Sequence, residues 1–242
     1  MNAPLTVVTG GSRGIGAAIC RRLAADGHDV VIGYVEDADA AASVAADVEA
    51  LGRRARAVRV DTADEASVDA LFDRASELGV ITGLVNNAGV RGSMGPLATA
   101  EVAGMRRALE VNVLGYLLCA RRAIRDFSTA GGGSIVNISS AAATLGGAGS
   151  YVHYAAGKAA VDGMTIGLAK EIAELGIRVN AVSPGTIWTD FHEDPQRPAT
   201  VAPTVPMNRA GQSEEIAGAV AWLLSGDASY ATGANIRVAG GL

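Results

Sequence analysis

Tyr154-Ala-Ala-Gly-Lys158 places a phenol and an ammonium four residues apart within a helical apolar pattern. That spacing puts both side chains on one helical face. A free tyrosine titrates near ~10 and exchanges protons poorly at neutral pH, but a neighbouring cation favours the phenolate. The pair is a candidate acid/base group. The same spacing also occurs on solvated helices that do no chemistry, so its meaning depends on the elements around it.

A second candidate lies near the start of the chain, in Thr9-Gly10-Gly11-Ser12-Arg13-Gly14-Ile15-Gly16. An apolar run precedes it, and Ile15, Ile19 and Leu23 then recur on one helical face. Glycines let a backbone turn tightly beside a ligand, and the unpaired N–H groups opening the following helix attract an anion such as pyrophosphate. The register is not G-x-G-x-x-G, and a plain strand-to-helix connection is the alternative.

Short β-rich runs alternate with helical patterns along the whole chain, which predicts a parallel α/β architecture. Strands are expected at Leu5 to Thr9, Val30 to Tyr34, Ala57 to Val60, Gly83 to Asn86, Ser134 to Ser139, Arg178 to Val182 and Asn235 to Val238. Most are continuously apolar, as in strands covered on both faces. Further helices are expected at Ala40 to Leu51, Ala66 to Leu78, Glu101 to Phe127, Tyr154 to Glu174 and Ser213 to Leu224, the last with a capped start at Ser213. Pro195, Pro198, Pro203 and Pro206 make 186–211 the one long irregular segment, which reads as a substrate lid within a single domain spanning 1–242.

The composition, 49% hydrophobic with 31 glycines in 242 residues, is that of an ordered globule rather than a disordered chain. A net charge of -5 with scattered arginines argues against nucleic acid and anionic membranes as partners. Cys20 and Cys119 lie far apart in apolar helical contexts and read as buried reduced thiols, with no metal site. No signal-type segment and no run long enough to span a bilayer is present, so a cytoplasmic protein is expected.

In order, the chain also carries Asp61 after the third strand, Asn86-Asn-Ala-Gly89, Asn112, Ser140, the Tyr154/Lys158 pair, and Pro184-Gly185 followed by Thr189. With the glycine turn, this series resembles the classical short-chain dehydrogenase/reductase family over essentially the whole chain. The wording around Tyr154 and the ending at Gly240-Gly241 look most like its glucose-dehydrogenase-like and 3-oxoacyl-reductase-like members. The resemblance implies a Rossmann-type doubly wound seven-stranded parallel sheet with helices on both faces and the cofactor at the strands' carboxyl ends. It implies an NAD(P)-dependent oxidoreductase that moves a hydride between nicotinamide and a carbonyl or secondary alcohol.

In that reading Tyr154 exchanges a proton with the substrate oxygen and Ser140 hydrogen-bonds it. Lys158 lowers the Tyr154 pKa and binds the nicotinamide ribose, and Asn112 anchors a water linking Lys158 to solvent. Gly10, Ser12, Arg13, Gly14, Ile15 and Gly16 form the phosphate turn. Tyr34 lies at the adenosine ribose, Asp61 and Thr62 at the adenine, Asn86 near its ribose, with Ala88 and Gly89 beside it. Pro184, Gly185, Ile187 and Thr189 reach the nicotinamide. By sequence alone Ser139 is an equally available hydroxyl. Ser140 precedes Tyr154 by fourteen residues, one more than the family's commonest spacing, which the glycine-rich 146–149 loop is expected to absorb. Gly157 stands where a serine is common. His153 reads as structural or substrate-lining, since adjacent helical residues point apart.

Arg13 and Tyr34 favour NADP(H), while Glu36 and Asp37 would repel a 2′-phosphate they faced. NADP(H) is the expected cofactor and NAD(H) the other possibility. The substrate pocket is expected from Arg91 to Leu97, Thr144 to Val152 and the lid, including Met94, Leu97, Leu145, Tyr151, Val152, His153, Trp188 and Phe191. That mix has little fixed charge and suggests a neutral small-molecule ketone, aldehyde or secondary alcohol. An epimerase or dehydratase on the same fold is an alternative, though such relatives usually carry a larger C-terminal substrate domain. A non-catalytic dinucleotide sensor or scaffold is another. The resemblance also implies a homotetramer.

Overall fold

The inner apolar runs become strands because they are buried on both faces between helical layers, while the runs at the two sheet edges are only partly covered. The computed structural model describes residues 3–192 and 194–242. Among these residues the strands are β1 (Leu5–Val8), β2 (Asp29–Tyr34), β3 (Ala55–Arg59), β4 (Ile81–Asn86), β5 (Gly133–Ile138), β6 (Ile177–Pro184) and β7 (Asn235–Val238). They form one seven-stranded sheet in the order β3-β2-β1-β4-β5-β6-β7. Every pairing is parallel. The expected doubly wound architecture is what the chain adopts. The strand order reverses between β1 and β4, and at such a switch point the connections diverge and leave a crevice at the carboxyl ends.

Two helical layers cover the sheet. On one face α1 (Gly14–Ala25), α2 (Ala38–Ala50) and α9 (Ser213–Leu224) bury Ile19, Cys20, Val44, Val48, Ile216 and Val220 against Val8, Ile32 and Val136. On the other, α3 (Glu65–Ser76), α5 (Gly115–Ala130) and α7 (Val152–Glu171) bury Leu71, Phe72, Cys119 and Phe127 against Val7, Leu84 and Ile135. Cys20 and Cys119 thus sit on opposite faces of the sheet, both free, and burial pushes each thiol up to about 12. They cannot meet as a disulfide.

The stretch expected as one helix from Glu101 to Phe127 is not continuous. It divides into α4 (Val102–Leu109), a π turn at Glu110–Leu114 and α5. Two contacts accompany the wide turn. Asn112 pairs with the Val90 backbone, and Gly115 packs so closely on Thr62 that a Cβ would lie 2.8 Å from its Oγ1. Single π turns within helices cluster at functional sites.

The α9 cap also differs from expectation. Gln212, not Ser213, is the N-cap, and its N–H donates to Glu215 Oε2 at 2.8 Å, which restores the three-residue capping interval. The proline-rich segment is less irregular than its composition suggests. A parallel bridge between Ile187 and Gly211 closes its base, and it contains α8 (Arg197–Val201) and a 3-10 turn at Ala202–Thr204. Pro198 and Pro203 occupy their first turns, where a missing N–H costs no helical hydrogen bond. The remaining helix, α6 (Ala142–Leu145), follows β5. Among the described residues no helix is long and apolar enough to cross a membrane.

Candidate active site

The carboxyl ends of the strands open into a cleft of about 830 Å³ that runs from the glycine turn and the end of β2 to α6, α7 and the proline-rich segment. At its base the turn is shaped by backbone that only glycine adopts easily: φ is +63° at Gly10 and +51° at Gly14. A Cβ on Gly16 would collide with the Gly10 carbonyl oxygen and lie 2.6 Å from Asn87 Nδ2. Ser12, Arg13, Gly14, Ile15 and Gly16 all line the cleft, with Arg13 at the N-cap of α1.

Asn87 holds this turn in place. Its Nδ2 donates to the carbonyls of Thr9 and Gly10, both at 2.9 Å, while Thr9 Oγ1 accepts the N–H groups of Asn87 at 3.0 Å and Ala88 at 3.1 Å. Asn87, Ala88 and Gly89 line the cleft. Asn86, the residue expected near the ribose, does not. It is buried and its Nδ2 donates to the Tyr116 carbonyl and Asn137 Oδ1. It ends a strand whose alternation aims it inward, and the loop that follows turns Asn87 to the cleft.

At the far end, Tyr34, Val35, Glu36 and Asp37 follow from β2, and Asp61 and Thr62 from β3. The Asp37 carboxylate accepts the Ala40 N–H at 2.8 Å and so caps α2. Burial pushes the Asp61 carboxyl up, but hydrogen bonds from the Ala63 N–H and Arg107 outweigh that and hold it below its ordinary value. Arg107, 2.9 Å from Asp61, lines the cleft from α4. Sequence patterning missed it because the pairing joins residues on distant elements.

The other end of the cleft gathers Ser140, Tyr154 and Lys158. Ser139 and Ser140 separate here: Ser139 is buried and donates to the Lys158 carbonyl at 3.2 Å. Ser140, half-buried, accepts the Ala142 N–H at 3.1 Å and is the hydroxyl that hydrogen-bonds Tyr154. Between Ser140 and Tyr154 the chain passes through left-handed Gly146, Gly147 and Gly149, with the Tyr151 N–H closing the loop on the Gly147 carbonyl at 2.9 Å.

The electrostatics depart from the simple expectation. Burial pushes the Tyr154 phenol up to about 12, with the Ser140 hydrogen bond acting against it. Burial also lowers Lys158 to about 7, opposed by Asp162 one helical turn away. The Lys158 ammonium faces the Tyr154 ring but donates to the Ile138 carbonyl at 2.7 Å and to Tyr116 Oη at 3.2 Å. In this arrangement desolvation, not the neighbouring cation, sets the phenol's value.

Asn112 is buried. Its Oδ1 accepts the Val90 N–H at 2.9 Å and its Nδ2 donates to the Val90 carbonyl at 2.8 Å, so the side chain ties the π turn to the loop after β4 rather than lining the cleft. Pro184, Gly185, Ile187 and Thr189 do line it, and Thr189 packs on the glycine turn, 3.2 Å from where a Gly14 Cβ would stand.

Beside Tyr154 lie the Tyr151 and Phe191 rings, with centroids at 5.7 and 6.1 Å. Met94, Leu145 and the C-terminal Leu242 add apolar wall. Leu97, Val152 and Trp188, expected as lining, are 54%, 39% and 40% exposed and lie outside the cleft. His153 is buried and structural: its Nε2 lies 2.8 Å from the Arg91 carbonyl oxygen, so that nitrogen carries the proton. The expectation of little fixed charge is also corrected, because Arg91, Asp190, His192 and Arg197 all line the cleft. Their convergence depends on how the proline-rich segment folds back.

The family model described as Enoyl-(Acyl carrier protein) reductase matches residues 10–242. The chain is 44% identical to cis-4-hydroxycyclohexanecarboxylate dehydrogenase of Sinomonas cyclohexanicum, over 98% of this chain and 95% of that protein. Among solved structures it is similar to a blue fluorescent protein from a metagenomic library in complex with NADPH, at 39% identity and a TM-score of 0.91, covering 99% of this chain and 98% of that one. It is likewise similar to NAD+-bound xylitol dehydrogenase, at 32% identity and a TM-score of 0.92, covering 99% of each chain. With these likenesses extending over essentially the whole chain, it belongs to the short-chain dehydrogenase/reductase family and is a nicotinamide-dependent oxidoreductase.

Proposed function

We propose that the chain interconverts a small-molecule ketone or aldehyde and its alcohol, with Tyr154 as the proton-exchanging group, Ser140 as the hydrogen-bond donor to the reacting oxygen and Lys158 as the cation beside them. One observation carries this reading: Ser140, Tyr154 and Lys158 line the same cleft whose base is the Gly10–Gly16 turn. The residues fit a dinucleotide, because left-handed Gly10 and Gly14 and the crowded Gly16 leave backbone, not side chain, facing the space at the start of α1. A bound nicotinamide supplies or accepts the hydride. The chain's own work is to hold the substrate oxygen near Ser140 and Tyr154, to move one proton at Tyr154 Oη, and to exclude water with Phe191 and the proline-rich segment, which we read as the lid of the single domain.

We infer a preference for NADP(H). Exposed Arg13 borders the cleft, Tyr34 supplies no carboxylate, and the Asp37 carboxylate is engaged by its own helix. Glu36 is the opposing influence. NADPH and NADH titrations of the wild type and Arg13→Gln measure this; equal affinities in both proteins would remove the inference. The named activity of the Sinomonas relative supports a cyclic secondary alcohol as a starting substrate.

Exposed Leu109, Leu114 and Leu117 before and within α5, and Ile166 on α7, supply apolar surface for the homotetramer we expect. Light scattering after size exclusion measures it. A cytoplasmic location suits the two buried reduced thiols.

The decisive experiment is Tyr154→Phe. Turnover should fall by about 10²–10⁴ while dinucleotide affinity changes only a few-fold. Unchanged turnover would remove Tyr154 from the chemistry, and dinucleotide binding without turnover of any carbonyl by the wild type would favour a sensor.

A further inference from the structure

We propose that the substrate of this cleft is an anion: a ketone or secondary alcohol bearing a carboxylate several bonds from the reacting carbon, gripped by Arg91 and Arg197. The proposal rests on the oxidoreductase reading above and adds the chemical class of the substrate.

Arg91 and Arg197 each stand one aromatic ring away from Tyr154. The Arg91 guanidinium lies 5.5 Å from the Phe191 centroid, and Phe191 lies 6.1 Å from the Tyr154 centroid. Tyr151 lies 5.7 Å from Tyr154, and the Arg197 guanidinium stands 5.8 Å over Tyr151 while donating to its hydroxyl at 3.3 Å. The two rings make apolar walls for a carbon skeleton whose oxygen is at Tyr154. The two cations mark where that skeleton can end.

Both arginines are half-buried, and among the described residues neither pairs with a carboxylate within 4 Å. Asp190, the acid that also lines this end, is exposed. A guanidinium drawn from water and left without an anion costs free energy, and its planar fork matches a carboxylate bidentately. Both are also held in place. His153 pins the Arg91 backbone carbonyl at 2.8 Å, and Tyr151 Oη fixes Arg197. Their field reaches the cleft interior: burial raises the Tyr154 phenol and Arg91 opposes it weakly, while burial lowers His192 and both arginines add to that. Such placement suits recognition better than solubility, which exposed arginines would serve equally.

The test compares 4-acetylbenzoate and 5-oxohexanoate with their methyl esters under NADPH and NADH. For the wild type, kcat/KM for the acids should exceed that for the esters by about tenfold or more, most of it in KM, and the advantage should shrink as salt rises. In Arg91→Met and Arg197→Met the acid-to-ester ratio should fall towards one, and Arg197→Glu should bring it below one. Equal kcat/KM for acid and ester in the wild type, or a ratio that neither arginine alters, would overturn the proposal. Failure of the oxidoreductase reading looks different: no ketone is turned over with either dinucleotide. Calorimetric titration of the NADP+-loaded protein with 4-acetylbenzoate then still decides the matter. Binding that Arg197→Glu abolishes supports the anion site, and no binding to the wild type rejects it.

Discussion

The Lys158 ammonium stands 5.7 Å from the Tyr154 ring centroid without hydrogen-bonding the phenol, since its bonds run to the Ile138 carbonyl and the Tyr116 hydroxyl. Burial acts on both groups toward neutrality, taking Lys158 down to about 7 and Tyr154 up to about 12. The pair is therefore a store for one proton in a desolvated pocket. Its protonation states are coupled to folding.

Stability should rise with pH between about 7 and 9 because of Lys158. The unfolded lysine titrates at 10.5 and keeps its proton there, while the folded one, at about 7, releases it. The unfolded state then binds more protons, so the slope is positive, by at most ~1.4 kcal/mol per pH unit. Above about 9 the buried thiols of Cys20 and Cys119, at about 12 when folded, reverse the sign. Urea midpoints of wild type and Lys158→Met from pH 7 to 9 measure the difference. Parallel curves would mean that Lys158 is solvated.

Asp162 lies one turn beyond Lys158 on α7, accepts from Asn235 Nδ2 at 2.8 Å, and raises the lysine's value against burial. Asp162→Asn keeps an acceptor for Asn235 but removes the charge. The Lys158 limb of the kcat/KM profile should move to lower pH. A limb that stays in place assigns Asp162 a purely structural role.

Gly16→Ala should disable the dinucleotide turn. The new methyl meets the Gly10 carbonyl and Asn87 Nδ2, the groups whose hydrogen bond fixes the turn. Overpacking of this kind costs about 1–3 kcal/mol, and dinucleotide affinity should fall by more than about tenfold. Nicotinamide fluorescence titration and a melting curve read both effects, and unaltered affinity would show that the turn does not hold the cofactor.

Gly157→Ala should do the reverse. A Cβ there would lie 3.6 Å from Val113 Cγ2 and 3.8 Å from Leu109 Cδ2, ordinary contact distances inside a helix. Replacing an interior helical glycine stabilises by roughly 0.5–1 kcal/mol, or about 1–4 °C for a chain of this size. A lower melting temperature would mean that α7 cannot accept even this methyl beside the π turn.

The sequence alone determined the architecture and the placing of Tyr154 and Lys158 on one helical face. Continuous apolar strands alternating with amphipathic helices leave little choice but a parallel sheet covered on both faces, and an i, i+4 spacing fixes Tyr154 and Lys158 on one helical face. The glycine turn was legible because it is local, with its conformation written in the residues that adopt it. What only the tertiary structure decided is which neighbours each side chain meets. Asn86 and Asn87 are adjacent and identical, yet one is buried beneath the sheet's end and the other straps the turn. Ser139 and Ser140 divide in the same way. Arg91 and Arg197 lie 106 positions apart in sequence and border one tyrosine only because the proline-rich segment folds over the cleft. Local spacing is set by backbone geometry, whereas desolvation and long-range pairing depend on where the chain returns, so the lysine's proton and the charge of the substrate pocket emerge only in three dimensions.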